Sequence, residues 1–203
     1  FKPDGSKMYV VGGAGRDVNE YNLSTAWDIS TSSYSQNFSV AAQETEPNGL
    51  FFKPDGTKMY ISGYTGDDVN EYDLSTAWNI STASFVQNFS VATQDTGVNG
   101  VFFKPDGLKM YVVGYVGDAV YEYNLGTAWD ISTASFVQSF SVAAQETYPT
   151  NIFFKPDGTK MYLTGINGDA VHEYDVGSVS YTTSTTWANS TTNSELYALQ
   201  QAL

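Results

Sequence analysis

The phrase Phe-Lys-Pro-Asp-Gly occurs four times, opening at Phe1, Phe52, Phe103 and Phe154, each 51 residues from the last. A chain of 203 residues is therefore repeat over almost its whole length. One structural unit, made four times over and stacked on itself, must account for the core. Composition supports such a core: 41% of residues are hydrophobic and 15% aromatic, which is not the profile of a disordered polyelectrolyte. No run approaches the ~20 apolar residues that a membrane-spanning helix requires, so no membrane insertion is expected. The absence of cysteine rules out disulfides, thiolate zinc sites and cysteine nucleophiles. Nine basic against 22 acidic residues give a net charge of −13, which repels phosphate backbones and excludes nucleic acid as the expected partner. The numbering opens inside a repeat, with no initiator Met or signal peptide, which points to a fragment or a processed chain.

Within one period the local signals describe four short strands and no helix. Asn48–Lys53 is an aromatic-rich strand ended by Pro54-Asp55-Gly56, where Pro fixes φ, Asp caps the backbone and Gly accepts positive φ. Lys58–Ser62 returns as the second arm of a hairpin. A Gly-rich connection over 63–66 leads to Asp68–Leu74, which alternates with period two, and a longer loop over 75–83 precedes the fourth strand, Ser84–Val91. One such sheet is apolar on both faces and cannot bury them alone. Stacking the sheets around an axis buries both, so the expected fold is all-β: a β-propeller of four ~51-residue, four-stranded antiparallel blades, with a β-solenoid as the rival. The blades span 1–183, with repeats starting near 1, 52, 103 and 154. The four blades either close alone or belong to a larger ring completed upstream or by a second chain. Residues 184–203 read as a Ser/Thr-rich linker and the start of a short C-terminal helix, with Leu196, Leu199 and Leu203 on one face, leading to a stalk or further domain.

The pattern Phe1-Lys-Pro-Asp-Gly-Ser-Lys-Met-Tyr-Val10, then Val18-Asn-Glu-Tyr-Asn-Leu23, resembles the blade signature of the lactonase-like propellers that include the YVTN repeats. It recurs in all four copies, over about residues 1–176. The resemblance implies the fold and says little about activity, because propellers host unrelated functions. The near-identical blades and the Leu-rich ending also resemble bacteriophage tail-fibre and appendage proteins.

Variation between copies concentrates in two connections. One joins the second and third strands (Gly13-Ala-Gly-Arg16, Tyr64-Thr-Gly66, Tyr115-Val-Gly117, Ile166-Asn-Gly168), and the other joins each blade to the next (44–48, 95–99, 146–151). In an up-and-down blade both emerge at the same end, opposite the Pro-Asp-Gly turns. That end is the candidate recognition surface, with Arg16, Tyr64, Tyr115, Tyr148 and Asn167 as ligand-binding candidates: exposed Tyr combines apolar area with a polar tip. Glu44, Asp95 and Glu146 occupy equivalent positions leading into the innermost strand, and hard oxygen donors around a channel mouth would suit Ca²⁺. Otherwise the carboxylates are simply hydrated, and no other cofactor is indicated.

Other repeated residues read as structural. Glu20, Glu71, Glu122 and Glu173 recur unchanged and are expected to hydrogen-bond between blades, and Trp27, Trp78 and Trp129 to pin the long loop. His172, the single histidine, replaces Asn19, Asn70 and Tyr121, and reads as a packing or surface residue because no catalytic partner is evident. Asn22, Asn37, Asn79, Asn88 and Asn189 lie in glycosylation sequons, a chance occurrence in a chain so rich in Asn, Ser and Thr. The function these features suggest is a non-enzymatic adhesion module on a virion fibre or extracellular surface, binding host glycan or surface protein, packed with other fibre subunits and able to homo-oligomerise. The alternatives are a structural fibre spacer and a metal-dependent lactonase-like hydrolase.

Overall fold

The computed structural model describes residues 1–176 and the strand Thr186–Ala188; the C-terminal helix and most of the linker expected over 184–203 lie outside the described residues. The described residues are all-β and form four antiparallel sheets in sequence order. The first holds β1 (Lys7–Gly12), β2 (Asp17–Leu23) and β3 (Ser32–Ser39). The second holds β4 (Pro47–Phe52), β5 (Lys58–Gly63), β6 (Asp68–Leu74) and β7 (Ala83–Ser90). The third holds β8 (Val98–Phe103), β9 (Lys109–Gly114), β10 (Ala119–Leu125) and β11 (Ala134–Ser141). The fourth holds β12 (Pro149–Phe154), β13 (Lys160–Gly165), β14 (Ala170–Asp175) and β15 (Thr186–Ala188). The first sheet thus has three strands rather than four, β1 corresponding to β5. β15 forms within the segment expected as linker, and Trp187 pairs with Val171 as part of this outer strand rather than repeating the earlier Trp loops.

Each Pro-Asp-Gly turn forms for local reasons. Asp55 Oδ1 accepts the Thr57 amide at 2.9 Å, and Gly56 adopts φ +75°. Trp78 lies directly over Gly56, leaving no room for a side chain there: a Cβ would sit 2.3 Å from the indole nitrogen. The expected pinning of the long loop therefore occurs. The loop also contains a short 3-10 turn, Ile80–Thr82, capped by Asn79, which the strand pattern does not announce.

Successive sheets pack face to face. The trailing flank of one sheet, represented by Tyr9, Val11, Val18, Phe38 and Val40, closes on the leading flank of the next, represented by Met59, Ile61, Tyr72, Leu74 and Ile80. The same arrangement recurs between the second and third sheets and between the third and fourth. The rings of Tyr9 and Tyr60 pack at a tilt against Phe52 and Phe103, and their hydroxyls donate to the carbonyls of Trp78 and Trp129, both at 2.6 Å. Two of the four repeated glutamates join neighbouring sheets: Glu20 pairs with Lys7, accepts Gln36, and receives the Ile80 amide of the next sheet at 3.4 Å, and Glu71 receives that of Ile131 at 3.3 Å. Among the described residues Glu122 and Glu173 are bonded only within their own sheets. These are blades in arrangement. No hydrogen bond or ring contact among the described residues links the first sheet to the fourth.

Candidate functional site

Both variable connections lie at one end of the stack and touch each other. Tyr64, Tyr115 and Ile166, each at the start of a β5–β6-type connection, donate their amides to the carbonyls of Glu46, Gly97 and Tyr148 in the incoming inter-sheet loops. The three tyrosines form a ladder across the sheets. Tyr64 and Tyr115 stack with centroids 5.8 Å apart, and Tyr115 and Tyr148 at 4.4 Å. Much of their apolar surface is therefore turned on one another, and Tyr64 keeps the most exposed ring face of the three. Hydrogen bonding to Tyr64, followed by partial burial, pushes the Tyr115 hydroxyl up to about 12. Arg16 is exposed and takes the positive-φ position filled by Asp67, Asp118 and Asp169 in the other copies. Asn167 is exposed and bonds Thr147 Oγ1 at 3.0 Å.

Glu44, Asp95 and Glu146 are buried, and each holds a loop of the following sheet. Glu44 accepts the amides of Glu46 (2.7 Å), Thr65 (3.2 Å) and Gly66 (3.0 Å). Asp95 accepts those of Gly97 and Gly117 (both 2.8 Å) and the Tyr121 hydroxyl at 3.0 Å. Glu146 accepts Tyr148 (2.7 Å), Asn167 (3.1 Å) and Gly168 (2.8 Å). Glycine is required beneath them, since a Cβ on Gly63, Gly114 or Gly165 would lie 2.1–2.4 Å from the carboxylate group. Their oxygens are engaged by the backbone, and among the described residues no three Asp, Glu or His side chains assemble as a metal-ligand set.

One repeated position changes chemistry along the stack. In the first two sheets Asp17 and Asp68 accept Asn19 and Asn70, two residues on, and Asn37 and Asn88 from the outer strand. In the third sheet the pair becomes Ala119 and Tyr121, and the phenol reaches Asp95 instead. In the fourth it becomes Ala170 and His172. His172 is 2% exposed, and neither ring nitrogen has a hydrogen-bond partner. A Cβ placed on Gly168 would lie 2.9 Å from Glu146 Oε2 and 3.0 Å from His172 Nε2, so imidazole and carboxylate flank the same glycine. Burial pushes the Glu146 carboxyl up, but the three amides and His172 outweigh it and hold the group below its ordinary range.

The expectation of a packing histidine thus holds for burial and fails to anticipate its neighbour. The signal that could have found it was the paired replacement of Asp-x-Asn by Ala-x-His. Asp67 and Asp118 were also missed: each has a buried carboxylate oxygen without a partner, beside the carboxylates of the flanking loops.

Several solved structures share this arrangement of sheets. A proposed 6-phosphogluconolactonase of Bacteroides fragilis matches with a TM-score of 0.61 at 16% identity, over 92% of this chain and 51% of its own. The periplasmic gluconolactonase of Pseudomonas aeruginosa matches with 0.57 at 16%, over 91% and 51%. The hydrazine synthase of Kuenenia stuttgartiensis matches with 0.59 at 19%, over 93% and 49%. The likeness shows the fold. The chain spans about half the length of these proteins. No family model matches the sequence, and no curated protein does. These findings correct two expectations. The firm exclusion of an enzyme falls, because the recurrent matches carry lactonase names. The non-enzymatic adhesion reading falls with it, and none of six such matches is named as a bacteriophage or virion fibre protein.

Proposed function

We propose that the chain is part of a lactonase-like propeller that hydrolyses a cyclic ester at its variable end, with His172 as the proton-transfer group. One observation carries this reading. Hydrolysis needs a single asymmetric constellation, and the only histidine of a fourfold repeat is buried there with both nitrogens unpartnered, beside an ionised carboxylate. The lactonase names of the structural neighbours support the substrate class.

In the proposed step a water adds to the ester carbonyl carbon and its proton passes to His172. The ring C–O bond breaks, and the same proton goes to the departing alkoxide, leaving a hydroxy acid. Glu146 lies beside the imidazole, its Oε2 and His172 Nε2 both next to Gly168. The loop over the site is superficial, with Ile166, Asn167, Gly168 and Asp169 all exposed, so substrate enters by displacing it. No step is routed through a metal, because the carboxylates expected to bind calcium are engaged by backbone amides. A periplasmic neighbour supports an extracytoplasmic location.

The test is hydrolysis of an aldonolactone by the full chain, followed by acid release in a pH-stat, with and without EDTA. His172→Asn, which restores the residue of the first two sheets, is expected to reduce kcat/KM by about 10²-fold or more while leaving the melting temperature within a few degrees. EDTA is expected to leave the rate unchanged. No hydrolysis above the buffer rate, or an undiminished His172→Asn variant, rules out the assignment.

A further inference from the structure

The tyrosine column at the variable end is not a product of the repeat. Tyr64 and Tyr115 open the connections of the second and third sheets, where the first and fourth have Gly13 and Ile166. Tyr148 comes from a different position, in the loop entering the fourth sheet, where the earlier copies have Glu46 and Gly97. Sheets form with or without an aromatic at either place, so the sheet itself does not require the column. Gly97 makes room for it: a Cβ there would lie 2.6 Å from the Tyr115 ring, and Tyr115 stacks on Tyr148.

The column begins beside His172 and Glu146. Glu146 Oε1 accepts the Tyr148 amide at 2.7 Å, and Glu146 Oε2 and His172 Nε2 flank Gly168. From Tyr148 the rings lead away across the third sheet to the second, with Tyr115 at 4.4 Å and Tyr64 a further 5.8 Å on. Val116 and Ile166, 58% and 59% exposed, add apolar surface at the same connections. Polar side chains stand beside them in pairs: the Thr45 hydroxyl donates to that of Thr65 at 3.0 Å, and the Asn167 amide to the Thr147 hydroxyl at 3.0 Å. The loops over 64–67, 95–99, 115–118, 146–151 and 166–169 hold Asp67, Asp95, Asp118, Glu146 and Asp169, and no lysine or arginine.

We propose that the column is a subsite for an uncharged glycosyl extension on the lactone, so that the preferred substrate is the lactone of an oxidised oligosaccharide rather than of a single sugar or a sugar phosphate. The inference rests on the lactone reading above. Tyrosine rings cover the C–H face of a pyranose, while their hydroxyls and the neighbouring Thr and Asn side chains meet its hydroxyl groups. The carboxylates repel a phosphate substituent. An acyl chain would lie against the same hydroxyls and amides and leave them unpaired. Contacts made away from the ester lower the barrier at the reacting carbonyl when they position it, so the extension raises kcat/KM as well as affinity.

Calorimetry on the 203-residue chain with lactam analogues, which bind without being hydrolysed, separates the subsite from the reaction. Cellobionolactam or gentiobionolactam is expected to bind about tenfold tighter than gluconolactam, a gain of the size that one aromatic contact supplies. Tyr64→Ala and Tyr115→Ile are each expected to cut that ratio to about threefold or less. Tyr64 is exposed, and Tyr115→Ile installs the residue that the fourth sheet already carries at this place, so both variants should melt within a few degrees of the unaltered chain. Equal or absent binding of the three lactams overturns the proposal, as does a ratio that neither substitution changes. Tighter binding of gluconolactam 6-phosphate or of an N-octanoyl homoserine lactone overturns it too. A chain that keeps the glycosyl preference yet hydrolyses no lactone would uphold the subsite and strike only the reaction assigned to His172.

Discussion

Asp67 and Asp118 sit at φ 47° and 48°, each with one carboxylate oxygen buried and unpartnered. Burial, then Asp95 and further neighbouring carboxylates, raises both above their ordinary values. A raised carboxyl binds its proton more tightly folded than unfolded. Its ionised form therefore costs stability at neutral pH, and the cost disappears as pH falls through the folded pKa. Asn tolerates this left-handed conformation. Asp67→Asn and Asp118→Asn are each expected to raise the melting temperature at pH 7 by about 1 °C, since partly exposed groups contribute only tenths of a kcal/mol. Equal or lower melting temperatures would show that these oxygens have an unseen partner. Glu146 has the opposite sign. Its depressed pKa makes it stabilising above about 4.3 and progressively less so below, and Glu146→Gln should cost about 1–2 kcal/mol at pH 7, read by urea unfolding. Sequence comparison finds 44, 95 and 146 as equivalent acids at one end. It does not reveal that their lone pairs face backbone amides, because that depends on the path of a loop 21 or 22 residues further along the chain. Gly63, Gly114 and Gly165, each under a carboxylate, are the traces this packing leaves in the sequence.

The repeating element is the hairpin with its tryptophan clasp. Trp78 and Trp129 adopt φ 63° and 66°, a conformation that bulky residues avoid, so tertiary contacts must hold them there. Those contacts are the indole face on the turn glycine, the ring contact with Phe52 (tilted) or Phe103 (stacked), and the hydrogen bond that the Trp amide donates to the Gly56 or Gly107 carbonyl at 3.0 Å. Trp129→Ala should therefore destabilise by about 3–5 kcal/mol. Gly107→Ala should be severe as well, because it combines positive φ with a contact of 2.3 Å to the indole. Denaturant unfolding of both variants tests the clasp, and a loss below 1 kcal/mol for either would refute it. The strands were legible to within about a residue, since alternation and Pro-Asp-Gly chemistry act over a few neighbours. The 3-10 turns at Ile29–Thr31, Ile80–Thr82 and Ile131–Thr133 were not. They depend on side-chain caps from Asp28, Asn79 and Asp130, which polar loop composition conceals.

At the scale of the whole molecule, charge is sorted by end. The eight lysines flank the Pro-Asp-Gly turns, each paired with an acid: Lys2, Lys53, Lys104 and Lys155 with the turn aspartates, and Lys7, Lys58, Lys109 and Lys160 with the strand glutamates. The variable end holds Asp17, Glu44, Glu46, Asp67, Asp68, Asp95, Asp118, Glu146 and Asp169 against Arg16 alone. The 51-residue period made the two ends legible in advance, because residues one period apart must share an end, though not the sorting of charge between them. Whether the sheets close into a ring was not, since closure depends on what meets the outer flanks. The sorted charge dictates a pH profile. As pH falls from 7, Asp67, Asp68 and Asp118 take up protons early because their pKa values are raised, which relieves repulsion and adds stability. Below about 4 the sign reverses. Asp55 and Asp157, held down to about 2, stabilise the fold above their unfolded pKa and lose that contribution as pH drops through the folded value, as does Glu146. The melting temperature should therefore pass through a maximum between about pH 4.5 and 6. Raising NaCl from 20 to 300 mM should stabilise the protein more at pH 7.5 than at the maximum, because salt screens chiefly the repulsion that protonation has already relieved. A melting temperature that declines steadily from pH 7.5 to 4, or a salt response independent of pH, would mean that the acidic end carries no net repulsion.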